Sequence, residues 1–479
     1  QTRTDLHAGK IGGFLLIGIE FQVGGMRQGD GQHQGGQQCW FHLFSGKKCA
    51  LARCLNINAK KCSAAYKKIL PHVQPRRWIA TRLGGARPSK IAPLLQPDTP
   101  MLRITELRLP IDHPEEALRT AIVQRLKMAD GDLLDFSVFK RSHDARKVRI
   151  ELLLVYIVDC KVKNEAALLK KFSKDHNISL TPDTSYHFIG HARHAPVKRP
   201  VIIGFGPCGI FAALILAQMG LRPIVLERGK AVRERTQDTW GLWRKKILNP
   251  ESNVQFGEGG AGTFSDGKLY SQIKDPKHYG RKVLNEFVKA GAPEEILYVS
   301  HPHIGTFRLV GMVENMRAEI ESLGGEIRFQ QKVSDVLIDN GQVRGVTLES
   351  GEQIETDHVV LALGHSARDT FQMLHERGVF MEAKPFSVGF RIEHPQSLID
   401  KARFGKFAGH PLLGAADYKL VYHASNGRSV YSFCMCPGGT VVAATSEPNR
   451  VVTNGMSQYS RNERNANAGI VVGITPADY

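Results

Sequence analysis

Long apolar runs are missing from this sequence. No stretch approaches the roughly 20 consecutive apolar residues that a helix needs to cross a bilayer. The run at 11–19 is broken by Glu20 and followed by no good cleavage site, so neither a membrane span nor a secretory leader is expected. Cysteine is sparse too. The eight cysteines form no CxxC pair and no zinc-type spacing, and four of them (Cys39, Cys49, Cys54 and Cys62) fall in the first hundred residues. With no disulfide framework and no metal pattern, a reducing, cytoplasmic setting is the expectation. Acidic residues are scarce at the start: positions 1–100 hold four Asp/Glu against 15 Lys/Arg, which places +11 of the net +18 there. The other 379 residues carry 49 basic and 42 acidic side chains. That distribution argues against a nucleic-acid footprint, and no nucleic-acid or membrane partner is expected. Residues 1–100 also lack any sustained helical or strand period. They are read as an N-terminal extension, translated upstream sequence or a disordered arm, with Met101 opening the patterned protein.

What is present is concentrated at residues 201–229. Val201-Ile202-Ile203 reads as a buried strand, Gly204-Phe205-Gly206-Pro207-Cys208-Gly209 as a glycine loop, 210–219 as an apolar helix, and 223–226 as a second strand ending in Glu227. Gly204 permits the tight turn, Gly206 leaves room for backbone to approach a pyrophosphate, and Gly209 lets the helix lie close to the sheet. The helix N-terminus then faces the phosphates with its unbonded N–H groups. Glu227 falls 23 residues after Gly204, where a carboxylate can accept hydrogen bonds from an adenosine ribose. Strand, loop, helix, strand and acid together predict a dinucleotide site.

Around this unit the chain divides into four parts. After the extension, 101–195 reads strand (102–109), helix (114–128), strand (133–139), strand (148–158) and helix (165–174). This is a small α+β domain of split βαβ type, followed by a Pro/His/Arg-rich linker. The segment 141–147 between its strands is predicted as a charged loop. Residues 196–375 form the nucleotide domain. It includes a second, glycine-dense loop at 256–267, helices at 279–290 and 306–323, and strands at 326–329, 333–338, 343–349 and 353–355, with Asn340-Gly341 marking a hairpin. A buried strand, 359–363, closes on Gly364. Such a loop is costly to order unless backbone must pass close to something, and a second cofactor-contacting segment is the reading. Residues 376–479 are assigned to a substrate or cap domain.

The order of fingerprint, meander and Ala362-Leu363-Gly364 strand end resembles the two-dinucleotide-binding-domain flavoproteins. A closer resemblance is to a bacterial family of FAD-dependent dehydrogenases, carried by residues 253–269, 302–306, 364–370 and Phe433-Cys434-Met435-Cys436-Pro437-Gly438-Gly439, and spanning about 101–479. The resemblance implies an α/β, Rossmann-like FAD-binding domain with an inserted β-meander and a cap region, preceded by the small α+β domain. It implies non-covalent FAD, held by Gly204, Gly206, Pro207, Cys208, Gly209, Glu227, Arg228, Gly260, Ala261, Gly262, Thr263, Val333, Ala362, Gly364 and His365. The superfamily also carries a late Gly-Asp segment that meets the flavin. No convincing copy stands before Tyr479, so the chain is read as a fragment.

Flavin brings its own redox chemistry, so few catalytic side chains are needed. A second dinucleotide fingerprint is lacking, which argues against a separate NAD(P)H domain while leaving a transient nicotinamide donor open. His303 is the candidate proton donor, with a hydrogen-bonded loop histidine as its structural rival. Cys434-Met435-Cys436 is a CxC pair with both side chains expected on one strand face, strained as a disulfide. Cys436 is the candidate near the substrate, against ordinary buried cysteines. Lys268 reads either as a neutraliser of phosphate or flavin charge or as a surface lysine. The expected function is a flavin-dependent dehydrogenase acting on a small molecule. A flavoprotein monooxygenase and a non-enzymatic FAD-binding redox sensor are the alternatives.

Overall fold

The computed structural model describes residues 14–15, 73–74, 101–145, 152–270 and 273–479. The predicted extension over 1–100, with its four cysteines, therefore lies outside the described residues apart from the two-residue strand pieces Phe14–Leu15 and Val73–Gln74.

The first unit runs β1 (Leu102–Pro110), α1 (Glu116–Leu126), β2 (Leu133–Asp144), β3 (Leu153–Val162), α2 (Glu165–Lys171) and β4 (Ile178–Leu180). Its antiparallel sheet has the order β2-β3-β1-β4. This is the split βαβ arrangement, completed by β4, a three-residue strand too short to show a period. Alternate residues of the strands, among them Leu102, Ile104, Tyr156, Val158 and Cys160, bury one face with Leu118, Ile122 and Leu126 of α1. The predicted charged loop at 141–147 is instead partly strand. β2 runs on through Asp144 because Arg141 pairs across to Tyr156 and also exchanges backbone bonds with Tyr298 and Ser300 of the next unit, at 2.7 and 2.9 Å.

The nucleotide unit follows with β5 (Val201–Ile203), α3 (Pro207–Gln218), β6 (Ile224–Glu227), α4 (Val232–Lys245), α5 (Tyr279–Lys289), α6 (Thr306–Ser322) and β7 (Glu326–Phe329). The meander is β8 (Val333–Asp339), β9 (Gln342–Leu348) and β10 (Gln353–Glu355), and the chain returns through β11 (Val359–Leu361) and α7 (Arg368–Glu376). β11, β5, β6 and β7 lie side by side in that order, all parallel, with Phe14–Leu15 beyond β11. The period of two along each strand divides the core. Ile202, Val225 and Val360 face α3 and α6, whereas Val201, Ile203, Leu226, Val359 and Leu361 face the antiparallel meander. A sheet covered on both faces explains why its strands are continuous apolar runs. α3 is buried nearly all round for the same reason, lying between the sheet and α6.

The last unit contains β12 (Phe386–Pro395), α8 (Gln396–Phe404), β13 (Val421–His423), β14 (Ser429–Cys436), the hairpin β15 (Gly439–Ala443) and β16 (Thr453–Ser457), and β17 (Asn465–Ile474). Its antiparallel sheet has the order β12-β17-β14-β13. The hairpin is tied to the nucleotide unit: Trp243 Nε1 donates to Ala443 O at 2.8 Å, and Asn454 Nδ2 to Phe264 O at 3.2 Å. Among the described residues no helix is long and apolar enough to cross a membrane.

Candidate functional site

The fingerprint and the second glycine loop meet backbone to backbone. Gly204 has φ +99°, and a Cβ there would lie 2.4 Å from Ala362 O; a Cβ on Gly209 would lie 1.9 Å from Gly204 O. Only glycine lets β5, the loop and α3 come this close to the end of β11. The second loop then approaches across a gap that side chains would fill. A Cβ on Gly260 would sit 2.9 Å from Gly206 Cα, and one on Gly229 would sit 2.5 Å from Gly257 Cα. Gly259 N donates to Phe205 O at 2.9 Å and Glu258 N to Lys230 O at 3.1 Å, which locks the two loops together.

Two buried charged side chains organise this junction. Glu227 accepts backbone N–H bonds from Phe205 (2.7 Å), Gly229 (2.8 Å) and Gly257 (3.0 Å). A carboxylate has about four lone-pair sites, so one remains for a ligand hydroxyl. The other organiser is Arg235, which sequence reasoning missed. It is fully buried in α4 and donates to the carbonyls of Asn253 (2.7 Å), Val254 (2.8 Å), Gly257 (3.4 Å), Glu258 (2.6 Å) and Gly260 (2.8 Å). Burial lowers its pKa to about 10, against the raising effect of Glu227 and Glu258. In the sequence Arg235 stands in a polar helical stretch. Nothing in its spacing marks it as inward-facing.

A cleft of about 3280 Å³ opens from this junction toward the last sheet. Of the residues predicted to hold a cofactor, Gly204, Gly206, Pro207, Glu227, Arg228, Gly260, Ala261, Gly262, Thr263, Val333, Ala362, Gly364 and His365 line it. Arg228 reaches it between Glu251 and Asp369, bonded to both, with its guanidinium 4.2 Å from the centre of the Phe256 ring. Cys208 and Gly209 do not line it. Cys208 is packed into the core beside α3, where burial pushes its thiol up to about 12.

Neither His303 nor Cys436, the two candidates for catalysis, lines the cleft, whereas the residues two positions before each do. His303 forms an isolated β-bridge with Lys268, donates from Nε2 to Tyr459 O (2.8 Å) and stacks on the Tyr459 ring, away from the cleft. Burial, with the charge of Arg461 next in size, drops its pKa to about 4. It is the hydrogen-bonded loop histidine. His301 lines the cleft instead, stacked on Tyr270 with ring centroids 4.4 Å apart and its Nδ1 3.2 Å from Asp417 Oδ2. Likewise Cys436 is buried, and Cys434 lines the cleft. The expectation of a regular strand placing both thiols on one face fails because the ladder register shifts between Phe433 and Cys436, with Cys434 at φ +45°. Lys268 is no surface lysine. Its side chain is 19% exposed and paired with Asp266 at 3.2 Å. Burial alone would raise the Asp266 carboxyl, but Lys268 and Arg461 hold it below its usual range.

Comparison with known proteins shows what the chain is similar to. A family described as "FAD dependent oxidoreductase" matches residues 282–408, one described as "FAD-dependent protein, C-terminal domain-like" matches 385–479, and a domain of unknown function matches 101–161. An uncharacterized protein of Clostridium beijerinckii is 45% identical over 379 residues, covering 79% of this chain and 70% of its own length. The chain belongs to this FAD-dependent oxidoreductase family. Its cofactor is FAD. Similar solved structures include the L-amino acid deaminase of Proteus vulgaris, at 14% identity over 51% of this chain and 63% of that one with a TM-score of 0.29. Another is L-proline dehydrogenase of P. horikoshii, at 18% identity over 42% and 62% with a TM-score of 0.23. The oxidoreductase thus spans less than two thirds of the length of either structure. The fit to the cofactor rests on its own residues: Gly204, Gly206, Gly260 and Gly262 present main chain to the cleft beside the start of α3, and the three backbone bonds that Glu227 accepts leave one of its lone-pair sites unused.

Proposed function

We propose that the protein is a dehydrogenase that binds FAD non-covalently along the paired glycine loops and oxidises a small molecule in the adjoining cleft. The observation that carries this reading is that Gly204, Gly206, Gly260, Gly262 and Glu227, from two loops packed backbone to backbone, line one cleft at the N-terminus of α3. Residues 204–209 and Glu227 would hold the adenosine and pyrophosphate half, with Gly260 to Thr263, Ala362, Gly364 and His365 lining the continuation. When bound, the flavin supplies the electron transfer. The chain's own residues bind, orient and move protons. His301, oriented by Asp417 and braced on Tyr270, is placed to exchange a proton with a substrate in the cleft. A nicotinamide cofactor would act, if at all, as a visiting donor.

Purified protein is expected to show flavin absorption bands near about 370 and 450 nm. A colourless protein that takes up no FAD on addition sinks the reading. If anaerobic substrate bleaches the flavin and an artificial acceptor restores it, the enzyme is a dehydrogenase. Oxygen-dependent insertion into product would make it a monooxygenase instead.

A further inference from the structure

Behind the cleft wall, positive charge exceeds negative around two thiols. Lys268 Nζ lies 3.7 Å from Cys436 Sγ, and Arg391 Nη1 lies 3.2 Å from Cys434 O. Asp266 is shared between Lys268 and Arg461. Arg391 is bonded to neutral oxygens only among its assigned hydrogen bonds, Cys434 O and Asn467 Oδ1. Three cations, Lys268, Arg391 and Arg461, therefore stand against two carboxylates, Asp266 and, on the Arg461 side, Asp417, and His303, neutral above about 4, adds no charge. A buried excess of this kind favours an anion at the site, and the groups next to it that can become one are the thiols.

We propose that Cys434 and Cys436 are a redox-reactive dithiol, oxidised by peroxides entering the cleft to an intramolecular disulfide. Cys434 is half-buried and lines the cleft, so it meets the oxidant; Cys436 is buried behind it and resolves. The Cys434 thiolate attacks the O–O bond. An S–O bond forms, and the departing alkoxide or hydroxide takes up a proton. The Cys436 sulfur then attacks the Cys434 sulfur, the S–S bond forms, the S–O bond breaks, and hydroxide leaves with the thiol proton as water. Two electrons pass from the dithiol to the peroxide.

Two features make closure feasible. Residues two apart on a flat strand have Cα atoms about 6.6 Å apart, near the upper limit for a disulfide. Here the ladder is broken between Phe433 and Cys436, so the backbone can adjust without losing regular pairing. Thiol acidity is divided in the right direction as well. The hydrogen-bonding Cys436, then the charges of Lys268 and Arg391, hold Cys434 well below its ordinary value, while Cys436 is raised by Cys434 and by burial. The charged and titratable groups facing the pair are Lys268, Asp266 and Tyr270 from the loop segment, Arg391 from β12, and Arg461 and His303 beside them.

The whole protein, treated with hydrogen peroxide and digested without reductant, should yield a peptide bridging 434 and 436 that is lighter by about 2 Da. Cys436→Ser should stop at a Cys434 sulfenic acid captured by dimedone. Lys268→Gln should slow iodoacetamide alkylation of Cys434 at neutral pH by about tenfold or more, and Lys268→Arg should retain the rate. Absence of the bridge in the parent protein, or an alkylation rate indifferent to Lys268→Gln, overturns the proposal. Flavin content read on the same samples keeps this outcome separate from that of the FAD reading.

Discussion

Gly260 and Gly206 face each other across the mouth of α3 with no side chain between them. A Cβ on Gly260 would stand 2.9 Å from Gly206 Cα, whereas one on Gly206 would stand 3.5 Å from Gly260 Cα. The two positions are therefore not equivalent. Gly260 is needed by the protein itself, since its φ is +58° and its Cβ would collide with backbone. Gly206 has ordinary clearance, so the protein's own packing does not require a glycine there.

From this asymmetry, Gly206→Val should fold with little loss of stability and lose FAD, because a branched side chain would fill the pyrophosphate approach. The ratio of flavin to protein absorbance should fall at least about tenfold. Unchanged flavin content would place the cofactor elsewhere. Gly260→Ala should lose stability first, by about 1–2 kcal/mol from the left-handed backbone alone, seen as a lower urea midpoint.

Arg235 offers a second test. Arg235→Met removes a guanidinium that donates to five carbonyls and leaves them buried, at a cost of about 3–5 kcal/mol. Arg235→Lys should recover only part, since an ammonium has three donors and no planar fork. Chemical denaturation reads the first effect. Flavin retention should fall in parallel, because Arg235 shapes the loop that carries Gly260.

The buried His303 predicts a pH dependence. Its folded pKa is about 4 against 6.5 in the unfolded chain, so the unfolded state binds more protons between these values. Its contribution to stability is complete above pH 6.5 and is lost as pH falls through about 4. Unfolding free energies measured across that window should decline more steeply for the parent protein than for His303→Asn. Equal slopes would mean that His303 titrates normally.

Native-state alkylation supplies a fourth check. Cys160 and Cys208 are both fully buried, with burial raising each thiol to about 12. Iodoacetamide at pH 8 should leave both unmodified in folded protein and label both in urea. Labelling of native Cys208 would show that the start of α3 is open to solvent.

Much of the architecture was legible because it rests on short-range patterns. The strand at 326–329, the meander with its Asn340-Gly341 turn and the helices after 279 and 306 lie where period and turn chemistry placed them. The three-residue β4 was not legible, since too few residues alternate. Most of the predicted loop residues line the cleft, Cys208 and Gly209 excepted, and the candidates outside the loops are displaced by two positions. His301 rather than His303 and Cys434 rather than Cys436 line the cleft, because an irregular segment and a broken ladder decide which side chain points inward. Arg235 had no signal at all, as its partners are main-chain carbonyls.

The amino-acid sequence by itself determined the strand-loop-helix unit at 201–229, the second glycine loop and the order of the units, because glycine positions and apolar periods act locally. Only the tertiary structure decided that the two loops stack at Gly206 and Gly260, that Arg235 holds them, and that Lys268 lies beside two thiols. Those relationships join residues far apart in the chain. Their energies come from burial and desolvation, which arise only once the sheet, the loops and the last unit have packed together.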